Sequence, residues 1–313
     1  MATSSNPRVP WYTPVGKVQI EQKQNGKPNT GKVLAAVQAH ADDIPFFCAG
    51  LVAKLVDEGY TAYLIQTTND EKCGPTSSIG DTIRRNEEDI DVLAKELGFE
   101  KVIHLGYRNH FLDEASPTEL RARLVYLIRA LKIDTITTFN PWGQWEENPD
   151  HYVTGQAVEA ARWMAGMDKD YPEHPSCGLS PHTVSELYYW TMRPGQPYNT
   201  VVDIEPYLEE KIAAMSANKS QGPAGARGRR LKEKLRLQGK RLPQLGDDDD
   251  TADREFLRLF GLKEYNKIGE PYGLRYAEHF YYIPPGGTFT GSLMMSDIEV
   301  EKYIAEHAVD IKS

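Results

Sequence analysis

The stretch Lys32–Asp43, which reads KVLAAVQAHADD, decides the fold. Its first part, Lys32–Gln38, is a short apolar run without the polar alternation of a half-exposed strand, which is typical of a strand buried on both faces. Ile44–Glu58 follows with apolar residues at helical spacing, and Gly59 ends this segment. A buried strand that leads into a helix is the first unit of a parallel α/β sheet.

The same alternation of strand and helix continues along the chain. Further buried strands are predicted at Thr61–Thr67, Lys101–Leu105 and Thr135–Phe139. Helices are predicted at Thr82–Leu97, from the capping box at Ser116 to about Leu131, and at Tyr152–Met164. Four such alternations predict an α/β fold of three layers, in which helices cover both faces of a mostly parallel sheet.

The second half of the chain has a looser pattern. It predicts strands at Glu186–Met192, Val201–Asp203 and Ala277–Ile283 and a helix at Glu205–Lys219. We expect one domain over residues 32–285, preceded by an N-terminal segment (1–31) and followed by a C-terminal tail (286–313). A charged insertion at about 222–253 contains a basic stretch followed by four aspartates. Adjacent blocks of opposite charge favour a solvated insertion, with a lid over a site or an oligomer contact as alternatives.

Composition limits the class of protein. The 313 residues are 40% hydrophobic, as in globular chains, and no apolar run approaches the length that spans a bilayer. The N-terminus lacks the basic start and apolar stretch of a secretory signal, so a cytoplasmic protein without a membrane span is expected. A net charge of −9 disfavours nucleic acid as the partner. Three cysteines at unrelated spacings do not indicate a disulfide framework or a thiolate zinc site.

A dense set of metal ligands follows the first strand. His40, Asp42 and Asp43 lie where that strand ends, and ligands of parallel α/β sheets bind at the carboxyl ends of strands. One imidazole and two carboxylates within four residues are typical of a divalent metal site. Alternatively, either aspartate could cap the helix that follows, and His40 could be an ordinary loop histidine.

The fourth strand supplies the missing partner, because His151 follows it at the same sheet edge. Two imidazoles and one carboxylate, from His40, Asp43 and His151, are the three protein ligands of a catalytic zinc site. Asp42 is then free to take a proton from a water molecule. Asp150 is placed to orient a ligand, or alternatively to cap a helix. Zn²⁺ is the expected cofactor, although such a site also accepts iron, manganese or cobalt.

These motifs resemble the LmbE/PIG-L family of zinc-dependent de-N-acetylases. The family signature Ala-His-Pro-Asp-Asp stands here as Ala39–Asp43, and the signature His-Pro-Asp-His stands as Asn148–His151. Weaker similarities are the Arg85–Glu88 helix, the Lys211–Gln221 stretch and the Tyr276–Phe280 strand. The resemblance implies a Rossmann-like (LmbE-like) fold, zinc on His40, Asp43 and His151, Asp42 as general base, and hydrolysis of an N-acetyl group on a glucosamine unit.

The chain departs from the family pattern at three positions. Ala41 replaces a proline, and Asn218 replaces a histidine of the later stretch. Asn148 replaces the signature histidine that, in the family, stabilises the oxyanion and helps to protonate the leaving amine. An asparagine can donate a hydrogen bond to an oxyanion but cannot supply a proton near neutral pH. Asn148 therefore keeps an expected catalytic role, and the proton comes from Asp42 in a second role, from His110 or His279, or from no group of the protein.

Substrate contacts are expected in loops at the ligand edge. Trp142 and Trp145 could stack on a sugar ring or merely anchor their loop, and Arg85 could bind a substrate hydroxyl or form a surface salt bridge. The expected partner is a small N-acylated amino sugar or glycoconjugate, and a homo-oligomer is left open. One competing hypothesis is a metal-binding family member with little or no deacetylase activity, which acts as a binding or regulatory protein or on a different amide. Another is a nucleotide-binding Rossmann protein, although no Gly-x-Gly-x-x-Gly follows the first strand.

Overall fold

A central sheet organises the chain in this computed structural model, which describes residues 13–193, 195–221, 225–285 and 297–310. Among these residues, eight strands form one sheet: β1 (Thr13–Glu21), β2 (Val33–Gln38), β3 (Thr61–Thr68), β4 (Lys101–Tyr107), β5 (Thr135–Phe139), β6 (Glu186–Trp190), β7 (Pro197–Asp203) and β8 (Ala277–Ile283). Their order across the sheet is β1-β7-β8-β6-β5-β2-β3-β4. β8 pairs antiparallel with β6 and β7, and every other pairing of these strands is parallel. The predicted α/β class with a mostly parallel sheet is confirmed.

Helices cover both faces of the sheet. Within the described ranges the α-helices of the chain are α1 (Asp43–Phe47), α2 (Ala49–Asp57), α3 (Ile79–Leu97), α4 (Pro117–Leu131), α5 (Pro149–Ala165), α6 (Leu208–Ala217), α7 (Arg227–Leu237), α8 (Asp249–Phe256), α9 (Lys263–Gly269) and α10 (Asp297–His307). None of these combines the length and apolar character that crossing a bilayer would need.

β2 shows why the sheet is central. Its side chains alternate between two buried clusters: Leu34 and Ala36 pack with α2, α3 and α6, whereas Ala35 and Val37 pack with α4 and α5. Both faces of the strand are therefore sealed from water, as its unbroken apolar pattern predicts. The result is the expected three-layer arrangement, in which β2 is an interior strand, sixth of the eight across the sheet.

The prediction of one helix over Ile44–Glu58 is wrong. The chain leaves helical geometry at Cys48, where φ is −149° and ψ is 12°, so α1 and α2 are separate helices. The backbone N–H groups of Gly50 and Leu51 donate to the carboxylate of Glu278 on β8, which supplies the partners that the first turn of α2 otherwise lacks. A distant carboxylate thus permits a helix start that local sequence does not indicate.

The charged insertion forms a helical hairpin in its described part. Arg229 of α7 pairs with Asp253 at 2.7 Å and with Asp250 at 3.0 Å on α8. Gly228 lies so close to Ala252 that a Cβ there would lie 1.9 Å from the Ala252 oxygen. The opposite charge blocks therefore face each other. Residues 222–224 of this insertion, 1–12 of the N-terminal segment, and 286–296 and 311–313 of the tail lie outside the described residues, and the domain limits stay a prediction.

Gly155 on α5 offers a test of the packing that places the site. A Cβ at this position would lie 2.9 Å from the Phe139 oxygen and 3.2 Å from Pro141 Cα, both backbone atoms. We expect Gly155→Ala to lower the free energy of unfolding by about 1–3 kcal/mol, because α5 must move away from β5. The control Gly80→Ala has nothing within 4 Å and should not lower it. Equal urea midpoints for Gly155→Ala and wild type would contradict this packing.

Candidate metal centre

The candidate centre lies at the carboxyl ends of β2 and β5, which pair with each other in parallel. His40 follows β2 by two residues, Asp43 begins α1, and His151 lies in the first turn of α5. All three side chains are buried, with exposed fractions of 5%, 3% and 8%. The carboxyl ends of these two strands therefore bring together residues that are more than a hundred positions apart in sequence.

The three side chains are spaced as metal ligands. His40 Nδ1 lies 3.0 Å from His151 Nε2 and 3.6 Å from Asp43 Oδ2, and His151 Nε2 lies 3.4 Å from Asp43 Oδ1. Ligand atoms at zinc bond lengths in a tetrahedral site are about 3.3 Å apart. The donor set and its spacing therefore fit zinc or a similar divalent ion.

Each imidazole has a carboxylate on its other nitrogen. His40 Nε2 lies 3.0 Å from Asp150 Oδ2, and His151 Nδ1 lies 3.2 Å from Glu146 Oε1. Asp43 Oδ2 also accepts hydrogen bonds from the Ala39 and His40 backbone N–H groups, at 3.0 and 2.7 Å. Carboxylates in these places fix the ring orientation of metal-binding histidines.

His40, His110 and Asp150 form a second group of closely spaced ligand atoms. In this group Asp150 already accepts hydrogen bonds from three donors: the backbone N–H groups of His110 and Leu112 and the side-chain amide of Asn109. His110 is also exposed, whereas His40, Asp43 and His151 are all buried. The group of His40, Asp43 and His151 is therefore the better cation site.

The charges around the centre favour a cation. Burial opposes the protonated form of both histidines, yet Asp150 and Asp43 raise the pKa of His40 to about 9. Asp43 and Glu146 likewise raise the pKa of His151 to about 10. Burial, with the negative charges of Asp43 and Asp70, raises the pKa of Asp42 to about 7. The surrounding carboxylates thus attract positive charge to this point, as a metal site requires.

The helix caps leave the carboxylates available. Asp42 occupies the N-cap position of α1 but makes no capping hydrogen bond with its side chain. Asn148 caps α5, since its Oδ1 accepts from the Asp150 backbone N–H at 3.0 Å. This bond leaves the Nδ2 group as the donor that Asn148 can offer to a ligand. Neither Asp42 nor Asp150 is used as a helix cap.

An open pocket of about 360 Å³ surrounds the centre, lined by His40, Asp42, Asp43, Phe46, Phe47, Cys73, His110, Asn148, His151, Met192, Arg193 and Gln221. Burial and nearby carboxylates raise the pKa of Cys73 to about 11, so its thiol is protonated at neutral pH.

Sequence reasoning missed several of these residues. Phe46 and Phe47 read as ordinary helix positions, and Met192, Arg193 and Gln221 come from distant segments. Asp70, whose Oδ2 accepts from the Ala41 backbone N–H at 2.8 Å, and Glu146 were also missed. The only sequence signal for these two residues is their position: Asp70 follows β3 and Glu146 follows β5, which are the two neighbours of β2 in the sheet.

Three predicted substrate contacts lie elsewhere. Arg85 is on α3, where it donates to Asp81 at 2.9 Å, and it does not line the pocket. Trp142 and Trp145 are 70% and 79% exposed, and Trp142 lines a separate apolar cavity of about 290 Å³. His279 lines a smaller cavity, and burial lowers its pKa to about 4, so it is neutral at pH 7. Of the named candidates outside the metal ligands, Asp42, His110 and Asn148 face the pocket.

Comparison with known proteins finds similarity to deacetylases. Residues 35–162 match the PIG-L family model, described as GlcNAc-PI de-N-acetylase. Diacetylchitobiose deacetylase from Thermococcus kodakarensis is 29% identical over 212 residues, which cover 66% of this chain and 76% of that protein. Residues 35–162 of the chain are therefore similar to the PIG-L (LmbE-like) family.

Two solved structures share the fold. N,N′-diacetylchitobiose deacetylase from Pyrococcus horikoshii superposes with a TM-score of 0.66 at 23% identity, covering 88% of this chain and 91% of its own. The 4-carboxy-2-hydroxymuconate hydratase GalB from Pseudomonas putida gives 0.55 at 15% identity, covering 81% and 97%. Since one is a deacetylase and the other a hydratase, the fold alone does not set the reaction.

Metal content tests the ligand assignment. We expect about one zinc per chain in the wild type, because three ligands of the right type converge. His151→Ala should lose most of this metal, since it removes one of the three ligands. Elemental analysis after dialysis against buffer measures both, with exposed His307→Ala as the control. Full zinc content in His151→Ala would show that the metal is held elsewhere.

Proposed function

We propose that this protein is a metal-dependent deacetylase that releases acetate from an N-acetylglucosamine-type amino sugar or glycoconjugate. One observation carries the proposal: the ligating atoms of His40, Asp43 and His151 converge in an open pocket that is also lined by Asp42, a carboxylate that does not cap a helix. The family match and the deacetylase relative support this type of reaction.

His40, Asp43 and His151 would hold a divalent ion, whose positive charge would polarise an amide carbonyl and make a water molecule more acidic. Asp42 lines the same pocket, and its carboxylate makes no helix-capping hydrogen bond. It is therefore the group that removes a proton from the attacking water. Asp150 and Glu146 hold the two histidine rings in place from behind.

Asn148 is the donor that faces the acyl oxygen in this proposal. Its Oδ1 is occupied by the Asp150 backbone, so the amide nitrogen is directed to stabilise negative charge that develops on that oxygen. Asp42 and His110 line the pocket and are the two groups that can return the proton to the leaving amine. His279 lines a different cavity and does not take this role.

The pocket suits a small molecule. Its volume of about 360 Å³ lies in the range of about 300–1,000 Å³ that is typical of small-ligand sites. Phe46 and Phe47 give it an apolar wall against which a sugar face or acetyl group can pack. The curated relative is named for diacetylchitobiose, which makes N-acetylglucosamine and its disaccharide the first substrates to test.

The variant Asp42→Asn tests both the activity and the base. We expect amine release from N,N′-diacetylchitobiose in the wild type and a fall in kcat of about 10²–10⁴-fold in the variant, because an amide cannot accept the proton. Zinc content should not change, which separates the loss from loss of metal. The control is Asp81→Asn on the exposed start of α3. An unchanged kcat in Asp42→Asn would show that Asp42 is not the general base. Bound zinc without turnover in the wild type would favour a binding role for the protein.

Asn148→His restores the residue that the family carries at this position. We expect kcat to be retained or increased, since an imidazole can both stabilise the oxyanion and supply a proton. Asn148→Ala should lower kcat by about 10²-fold or more, as removal of an oxyanion donor does elsewhere. Steady-state amine release measures both variants. A complete loss in Asn148→His, with zinc still bound, would indicate a specialised role for the asparagine.

A further inference from the structure

The break between α1 and α2 forms an elbow, residues 46–51, beneath the pocket. Three elements distant in sequence hold it from the core side. The Phe46 carbonyl accepts hydrogen bonds from Lys211 Nζ on α6 at 2.7 Å and from the Tyr265 hydroxyl on α9 at 2.8 Å. The Gly50 and Leu51 N–H groups donate to Glu278 on β8 at 3.0 and 2.9 Å. The elbow is therefore bonded on both sides of the break.

Lys211 and Glu278 form a buried ion pair that joins these contacts. Lys211 Nζ lies 2.6 Å from Glu278 Oε1, and the two side chains are 0% and 1% exposed. The ammonium group also lies 4.2 Å from the centroid of the Tyr265 ring. A charge pair buried this deeply costs desolvation, so stability alone is weak grounds for its presence.

The elbow carries residues of the proposed site. α1 begins with Asp43, whose carboxylate holds the His40 backbone N–H at 2.7 Å. It ends with Phe46 and Phe47, which line the pocket. A five-residue helix has too few internal hydrogen bonds to keep its own position. External contacts must therefore set where Asp43 and the aromatic wall lie.

We propose that Lys211 and Glu278 are positioning residues that fix the elbow and, through it, the geometry of Asp43 and the pocket wall. The consequence for catalysis rests on the proposed function, but the consequence for the elbow does not. The pair does not touch the metal ligands. It acts through the Phe46 carbonyl and the first turn of α2.

The chain contains a matched control for this proposal. Lys54 and Glu58 form another buried lysine–glutamate pair, 3.1 Å apart and 2% and 0% exposed. Lys54 lies in the last turn of α2 and Glu58 is its C-cap residue, and their side chains bond to each other and not to the elbow. If buried ion pairs matter here only for stability, variants of the two pairs should behave alike.

The experiment compares Glu278→Gln and the exchange Lys211→Glu/Glu278→Lys with Glu58→Gln. Glutamine at 278 has one acceptor oxygen, so it cannot accept both N–H groups as the carboxylate does. The exchange restores opposite charges, but a lysine at 278 cannot accept from the elbow and a glutamate at 211 cannot donate to Phe46.

Tyr265→Phe removes one hydroxyl donor to the elbow. Its control, Tyr207→Phe, removes a buried hydroxyl that bonds to Asp57 instead.

Two measurements read the result without using turnover. Hydrogen exchange of peptide 39–48 in the metal-free proteins should be faster in Glu278→Gln, in the exchange variant and in Tyr265→Phe than in wild type. Zinc affinity from chelator competition should fall about tenfold in Glu278→Gln, the low end of the effect of losing a residue that supports metal ligands. Glu58→Gln and Tyr207→Phe should keep the wild-type zinc affinity and exchange in this peptide.

Equal zinc affinity and equal exchange of peptide 39–48 in both sets of variants would overturn the proposal and leave the pair a structural role only. If Glu278→Gln does not fold, the comparison of Tyr265→Phe with Tyr207→Phe decides by the same two readouts. If the wild type binds no zinc and releases no amine, the proposed function is wrong. Hydrogen exchange at the elbow then still decides the positioning role.

Discussion

β2 lies beside β5 in parallel register, Leu34 opposite Thr135 and Ala36 opposite Thr137, and the candidate site depends on this pairing. Parallel neighbours end at the same sheet edge, so the loop after β2 and the start of α5 must meet. His40 and His151 thereby approach to 3.0 Å across 111 positions of sequence. Burial of β2 on both faces favours this register, because a one-residue slip would exchange the side chains that pack into the two buried clusters.

The site contains several buried carboxylates, and backbone N–H groups stabilise much of their negative charge. Asp43, Asp70 and Asp150 each accept a hydrogen bond from at least one backbone N–H group in the loops that follow β2 and β4. Such hydrogen bonds stabilise ionised carboxylates and also fix the loops around them. The histidines are held between these carboxylates, which is why the centre favours a cation. The same carboxylates therefore both build the site and define its chemistry.

The fold supports more than one reaction, as the hydratase and the deacetylase that share it illustrate. What distinguishes this chain is local. The Oδ1 atom of Asn148 caps α5, which leaves its Nδ2 group as a donor for a ligand. His110 lies on the pocket rim with φ at +62°, a backbone region uncommon for residues other than glycine. A reaction that needs a donated proton must therefore be served here by a different group from the signature histidine.

The sequence by itself determined the strand–helix alternation, the buried central strands and the His40, Asp43 and His151 set, because these follow from local periodicity and from where strands end. It could not determine that α1 and α2 separate at Cys48, since Glu278 and Lys211 come from more than 150 positions away. Nor could it separate Arg193, which lines the pocket, from Arg85, which pairs on a helix surface. Local patterns decide how a segment folds, whereas the pocket wall is assembled from distant segments, and only tertiary packing decides which side chains reach it.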